Sequence, residues 1–178
     1  MTSLQTNRLI LRRPDVSDLD DLHQVFSDPR AMRYWSTLPH TDPAQTEAFI
    51  LAMQGLHDAG GAEFVVEYKA RAIGKVGIFD APEIGFIFHP DSWGKGIGTE
   101  AASAVISHGF ATLGLDRVTA DVDPRNAASI SLLTALGFVE TGRASGTLQL
   151  GEELCDSIYF AVTRQAWQAR SDGLSGTD

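Results

Sequence analysis

The sequence predicts a mixed α/β (α+β) domain. Strand-like and helix-periodic stretches follow one another in the order β-α-α-β-β-β-α-β-α-β-β, a pattern of neither an all-helical nor an all-strand architecture. An apolar run, Ile84 to Phe88, leads through a loop with glycines at 94, 96 and 98 into an alanine-rich helix. The chain has 178 residues, 43% of them hydrophobic and 21% charged, which suffices for one cored domain over residues 1–170 without staples.

Each element has its own local reason. Arg8 to Arg13 reads as a first strand, closed by Pro14. Asp15 to Asp18 is a helix start, with Leu19, Leu22, His23, Val25 and Phe26 at helical spacing until Asp28-Pro29 breaks the run. Met32, Tyr34 and Trp35 follow in a turn or short helix. Asp42-Pro43 opens a longer helix carrying Phe49, Ile50, Met53 and Leu56, ended at Gly60-Gly61. Glu63 to Tyr68 and Ala72 to Phe79 form a hairpin about Lys69 to Arg71, and Glu83 to His89 is the next strand. A helix from about Gly98 to Leu113, a strand from Arg117 to Asp123 and a helix from Asn126 to Leu136 come after it. Gly137 ends that last helix, where left-handed backbone costs little. Final strands are expected at 138–147 and 158–163, and residues 171–178 are expected to be a frayed tail.

Trp93-Gly94-Lys95-Gly96-Ile97-Gly98-Thr99 carries the most chemistry. Alternating glycines let a loop curl with its N–H groups inward, and the following helix adds the positive end of its dipole, so a phosphate or pyrophosphate fits there. Gly96 to Ala101 also fits the dinucleotide fingerprint G-x-G-x-x-[GA], with Asp121 about 20 residues on, where a ribose-binding acid stands. In that fold, however, the first glycine follows its strand almost directly and the motif opens its domain; here residues 90–95 intervene and most of the chain comes first. No Walker motif G-x-x-x-x-G-K-[ST] occurs. A formal net charge of −9 speaks against nucleic-acid binding and is compatible with a cationic substrate. No apolar run approaches the ~20 residues of a membrane span. The single cysteine, Cys155, forms no internal disulfide and fits a cytoplasmic location.

The chain resembles the GNAT (Gcn5-related) N-acetyltransferases, in particular the branch that acetylates ribosomal-protein N-termini. Thr6-Asn7-Arg8-Leu9-Ile10-Leu11-Arg12 matches the opening T-x-R-L-x-L-R, and Ser27-Asp28-Pro29 through Met32-Arg33-Tyr34 matches the segment after the first helix. Ile84-Gly85-Phe86 and Trp93 to Ala101 match the cofactor core. Asn126-Ala127-Ala128-Ser129 with Leu136-Gly137-Phe138 matches the next helix, and Asp156 with Tyr159 the penultimate strand region. Trp93 departs from the superfamily pattern, which has Gln or Arg there.

The resemblance implies a mostly antiparallel sheet with a V-shaped splay between central strands and acetyl-CoA as cofactor. Pantetheine would pair with Phe86, Ile87 and Phe88, and a bulge at Gly85 would aim an N–H at the thioester oxygen. Residues 93–99 (Trp93, Gly94, Lys95, Gly96, Ile97, Gly98, Thr99) would hold the pyrophosphate, and Asn126 and Ser129 would reach the cofactor. A hydroxyl at Ser129, with Ser131 the lesser candidate, would serve the departing thiolate; the tyrosine many relatives use falls at Leu133 and is missing. Glu83 and Asp121 are the candidate bases, Glu83 preferred. Tyr34 and Trp35 would line the acceptor site, with His40 and the stretch 145–157, whose acids Glu152, Glu153 and Asp156 suit a cationic amine. The implied partner is an amine acceptor, a small molecule or a protein N-terminus, with no metal and with a monomer or homodimer as the assembly. A non-catalytic acyl-CoA sensor and an NAD(P)-binding oxidoreductase are the alternatives.

Overall fold

The computed structural model describes the backbone of residues 2–175. One eight-stranded sheet runs in the order β1-β2-β3-β4-β5-β6-β8-β7. Its strands are β1 (Leu4–Gln5), β2 (Ile10–Arg12), β3 (Ala62–Tyr68), β4 (Arg71–Asp80), β5 (Glu83–Phe88), β6 (Arg117–Val122), β7 (Val139–Leu150) and β8 (Glu153–Thr163). Helices α1 (Leu19–Phe26), α2 (Pro43–Asp58), α3 (Ile97–Ala111), α4 (Ala127–Ala135) and α5 (Arg164–Ser175) flank it. Every neighbouring pair is antiparallel except β5 and β6. The dinucleotide-binding alternative needs a doubly wound parallel sheet, and this topology removes it.

Strand alternation sorts the core onto the two sheet faces. Ala62, Phe64 and Val66 of β3, with Val118, Ala120 and Val122 of β6, pack under α3 in the larger cluster. Val65 of β3 and Ile87 of β5 face the other way, against Leu22, Val25 and Phe26 of α1 and Ile50 and Met53 of α2. The helix starts are built as their sequences require. Asp15 accepts from the Ser17 N–H at 2.9 Å and Asp42 from the Ala44 N–H at 2.8 Å, each in a capping box. Buried Asp18 is held by a forked pair from Arg12 at 2.9 and 2.7 Å.

Three stretches depart from the expectations. β1 extends the sheet before the first expected strand. β7 and β8 are longer than expected and pair across much of 145–157, with register shifts between Glu140 and Gly142 and between Ala144 and Leu148. The stretch read as a connection is therefore a hairpin arm. α5 occupies part of the stretch expected to fray, and its Trp167 is buried in the larger cluster near Phe110; residues 176–178 lie outside the described residues. No described helix is long and apolar enough to cross a membrane.

Candidate active site

β5 and β6 touch at their starts and then part. Glu83 stands opposite Thr119, whose N–H donates to the Pro82 carbonyl at 2.9 Å. No further β5–β6 register pair occurs among the described residues, so the strands form the expected V. The His89 N–H donates to the Ile73 carbonyl at 2.8 Å. Hydrogen-bonding direction alternates along a strand, so Ile87 and Gly85 turn their main-chain groups to β4, and Phe86 and Phe88 turn theirs to the gap. The Phe88 carbonyl is taken by the Trp93 indole N–H at 3.0 Å. Unpaired main-chain groups in a gap are costly unless a ligand meets them.

A cleft of about 800 Å³ fills this V. Its walls are 84–88 of β5, 120–123 on the β6 side, the glycine loop, and Asn126, Ser129, Ser131 and Leu132 along α4. Gly94 and Gly96 have φ of 68° and 71°, left-handed values that cost a glycine little. Gly96 caps α3, so the loop delivers its amides to the helix's positive end. Asn126 caps α4 by accepting from the Ser129 N–H at 3.1 Å. Leu133, at the position of the missing tyrosine, is fully buried in the larger core.

A second cavity of about 420 Å³ lies on the α2 face of the sheet. It shares Arg33, Tyr34, Trp35, Ile84, Gly85, Asp121 and Asp123 with the first, so the two meet at the splay. Glu83 and Asp156 also line it. Among the described residues neither the Glu83 nor the Asp121 side chain has a hydrogen bond or ion pair, and the Asp156 side chain accepts only from the Gly146 N–H, at 2.8 Å. Burial, then the charges of Asp121 and Asp80, push the Glu83 carboxyl above its usual value of 4.5. Asp123 is held below the carboxylate range by hydrogen bonds from Arg125, which also grips Glu153. Arg33 reaches Glu153 from the other side at 3.2 Å, and both guanidinium groups lie over the Tyr34 ring, at 5.2 and 5.8 Å.

The wall of this cavity holds a pair that sequence reasoning missed. Lys75 donates to both Glu63 oxygens at 3.1 Å, and the side chains are only 3% and 1% exposed. The ammonium also sits 5.4 Å from the Trp35 ring centre and 5.6 Å from that of Phe79. Gly85 is explained here: a Cβ on it would come within 3.3 Å of the Phe79 ring and 3.8 Å of Lys75 Nζ.

Most candidate residues meet at the two cavities. Tyr34, Trp35, Phe86, Ile87, Phe88, Trp93, Gly94, Gly96, Ile97, Gly98, Thr99, Asp121, Asn126 and Ser129 line the cleft, and Glu83 the neighbouring pocket. Several expectations need correction. Gly85 is not bulged; the extra residue is Phe79 on β4, where register shifts between Ile78 and Asp80. The N–H facing the gap is therefore that of Phe86. Ile87 lines the cleft with its backbone committed to β4. Lys95 is turned out of the cleft, its ammonium donating to the Asp91 carbonyl at 2.6 Å. His40 stacks on Phe26 and bonds Thr46 at 2.9 Å, away from both cavities. Glu153 is committed to its arginines, and Glu152 lines neither cavity. Cys155 lies in the wall of the second cavity, 3.6 Å from the Arg125 guanidinium.

Comparison with known proteins identifies the family and the fold. Residues 8–139 match the family described as acetyltransferase (GNAT) domain. An uncharacterized N-acetyltransferase p20 of Bacillus licheniformis is 32% identical over 176 residues, covering 94% of this chain and 99% of the relative. The spermidine N(1)-acetyltransferase of Escherichia coli K12 is 31% identical over 169 residues, covering 89% and 88%. Among solved structures, the ribosomal-protein-S5-alanine acetyltransferase of Vibrio fischeri superposes with a TM-score of 0.79 at 26% identity, covering 94% of this chain and 99% of that one.

Proposed function

The chain belongs to the GNAT acetyltransferase family, and on that premise we propose that it moves the acetyl group of acetyl-CoA to a primary amine by direct attack in a ternary complex. The acceptor is a protein N-terminus or a small-molecule amine, and the setting is the cytoplasm. The observation that supports this reading is the splay in the sheet, where the cleft with its glycine loop meets a pocket lined by Glu83, Asp121 and Asp156 beside Gly85.

Acetyl-CoA is the donor of GNAT enzymes, and the cleft suits it. Its volume lies within the range of about 300–1,000 Å³ usual for ligand sites. The backbone groups of Phe86 match amides of an extended arm, and the loop 94–99 at the start of α3 matches a pyrophosphate. When bound, acetyl-CoA supplies a thioester whose acetyl group the amine takes, with release of the thiol. Glu83, Asp121 and Asp156 draw an ammonium into the second pocket. Glu83, half-buried and raised in pKa, takes the proton the nitrogen must lose. The Phe86 N–H faces the gap in which charge builds on the carbonyl oxygen, and Ser129 offers a proton to the departing sulfur.

Acetyl-CoA at a hundred times its Kd is expected to raise folding stability by about 2.7 kcal/mol, seen as a higher melting temperature. Free thiol is expected to appear only with a suitable acceptor, in a panel of amines and N-terminal peptides. Cys155→Ser is expected to keep most activity, because among the described residues the thiol's side-chain partner is the Arg125 guanidinium and no base is bonded to it. A stable acetyl adduct on Cys155 would overturn direct transfer. Binding of acetyl-CoA without turnover on any amine would favour the non-catalytic sensor, the reading that buried Leu133 supports by withholding a hydroxyl from the cleft.

A further inference from the structure

We propose that Arg8, outside both cavities, is a positioning residue for the cofactor loop. It fixes the orientation of the Lys95–Gly96 peptide and cancels the charge of Glu100 in the first turn of α3. The inference rests on the reading that loop 94–99 holds the pyrophosphate of acetyl-CoA.

The geometry is specific. Arg8 Nη1 donates to the Lys95 carbonyl at 2.8 Å. A trans peptide is planar, with its C=O and N–H on opposite sides, so a Lys95 carbonyl held outward by Arg8 aims the Gly96 N–H away from it. Gly96 lines the cleft and neither Lys95 nor Arg8 does, so that direction is toward the ligand. The same guanidinium donates through Nε to Glu100 Oε2 at 2.7 Å, while the Arg8 N–H and the Thr6 hydroxyl reach Oε1 at 2.9 and 2.5 Å. Glu100 therefore spends its acceptors on the N-terminal segment. Without the Arg8 guanidinium, the Glu100 carboxylate would keep only the Thr6 hydroxyl and the residue-8 N–H, and its charge would stand unbalanced at the helix end that must receive a dianionic group, where like charge repels. One arginine fork serves the loop carbonyl and the carboxylate together, which a lysine point charge does poorly.

The test is calorimetry with acetyl-CoA, alongside steady-state kinetics with acetyl-CoA and with S-acetylpantetheine, which lacks the phosphates. Arg8→Ala is expected to raise Kd and KM for acetyl-CoA about tenfold, an effect of one lost charge-assisted contact. kcat at saturation and KM for S-acetylpantetheine are expected to hold, a split that general loosening of the fold would not give. Arg8→Lys is expected to fall between, and Arg8→Ala/Glu100→Gln to regain part of the lost affinity. Arg8→Ala binding as tightly as wild type, or weakening both donors alike, would overturn the assignment. A double variant no tighter than Arg8→Ala would overturn its charge component. Wild-type protein that takes up no acetyl-CoA would sink the proposed function and this inference together, whereas wild-type uptake with an indifferent Arg8→Ala sinks the inference alone.

Discussion

Lys75→Met is expected to cost about 3–5 kcal/mol of folding stability at neutral pH, the usual penalty for stranding one member of a buried ion pair. Glu63 is enclosed by the sheet and α2, and Lys75 is the cation bonded to its carboxylate. Burial pushes the Glu63 carboxyl up, and the attraction of Lys75 pulls it back. With the ammonium gone, the carboxyl rises further and must be protonated or buried as a bare charge. A group whose folded pKa is raised destabilises as pH climbs from its unfolded value, 4.5 here, toward the folded one. The gap between variant and wild type should therefore be small near pH 4 and widen toward neutrality. Urea unfolding at a series of pH values reads this directly. Glu63→Met/Lys75→Met should be much less damaged than Lys75→Met, because a paired apolar replacement leaves no orphan charge. A Lys75→Met protein within 1 kcal/mol of wild type at neutral pH would contradict the account.

Glu83→Gln is expected to lower kcat by about 10²–10⁴-fold with little change in acetyl-CoA affinity, the range a positioned general base contributes. Gln nearly matches Glu in shape, and among the described residues the Glu83 side chain has no hydrogen-bond or ion-pair partner to lose, so the fold should survive. The pH profile gives the sharper readout. Glu83 is pushed up by burial and by Asp121 and Asp80, so the acidic limb of kcat/KM should lie above 4.5, with activity rising as pH rises through it. Asp121→Asn removes one like charge and should move that limb to lower pH. An unmoved limb in Asp121→Asn, or a Glu83→Gln enzyme with wild-type kcat, would transfer the role of base to another group or to a water relay.

The sequence made the site more legible than its surroundings. Strand alternation puts Glu83 on the same face as Gly85 and Asp121 on the same face as Asp123, and all four line the second pocket. The glycines at 94, 96 and 98 point to a curled loop, and Gly94 and Gly96 take positive φ there, whereas Gly98 lies inside α3. Lys75 and Glu63 escaped because a polar residue in an alternating strand reads as solvent-facing. Only the packing of α2 and Trp35 over that face, together with the β3–β4 register, reveals them as partners. Gly85 misled in a related way: its missing side chain makes room for Phe79, the actual bulge, on a strand the local sequence cannot see. Lys95 looked like a phosphate ligand by proximity, but the Asp91 carbonyl takes its ammonium. α5 has two large apolar residues, Trp167 and Leu174, among small and polar neighbours, too few for a helical period to read. β7 is mostly exposed and interrupted by glycines, and it owes its length to the ladder with β8.

One cavity runs along α4 and the other along α2, and they share wall residues at 33–35 and where β5 and β6 part. On the proposed function the thiol carrier has its approach along α4 and the nitrogen compound its own along α2, so that an acceptor could be exchanged while the donor stays in its berth.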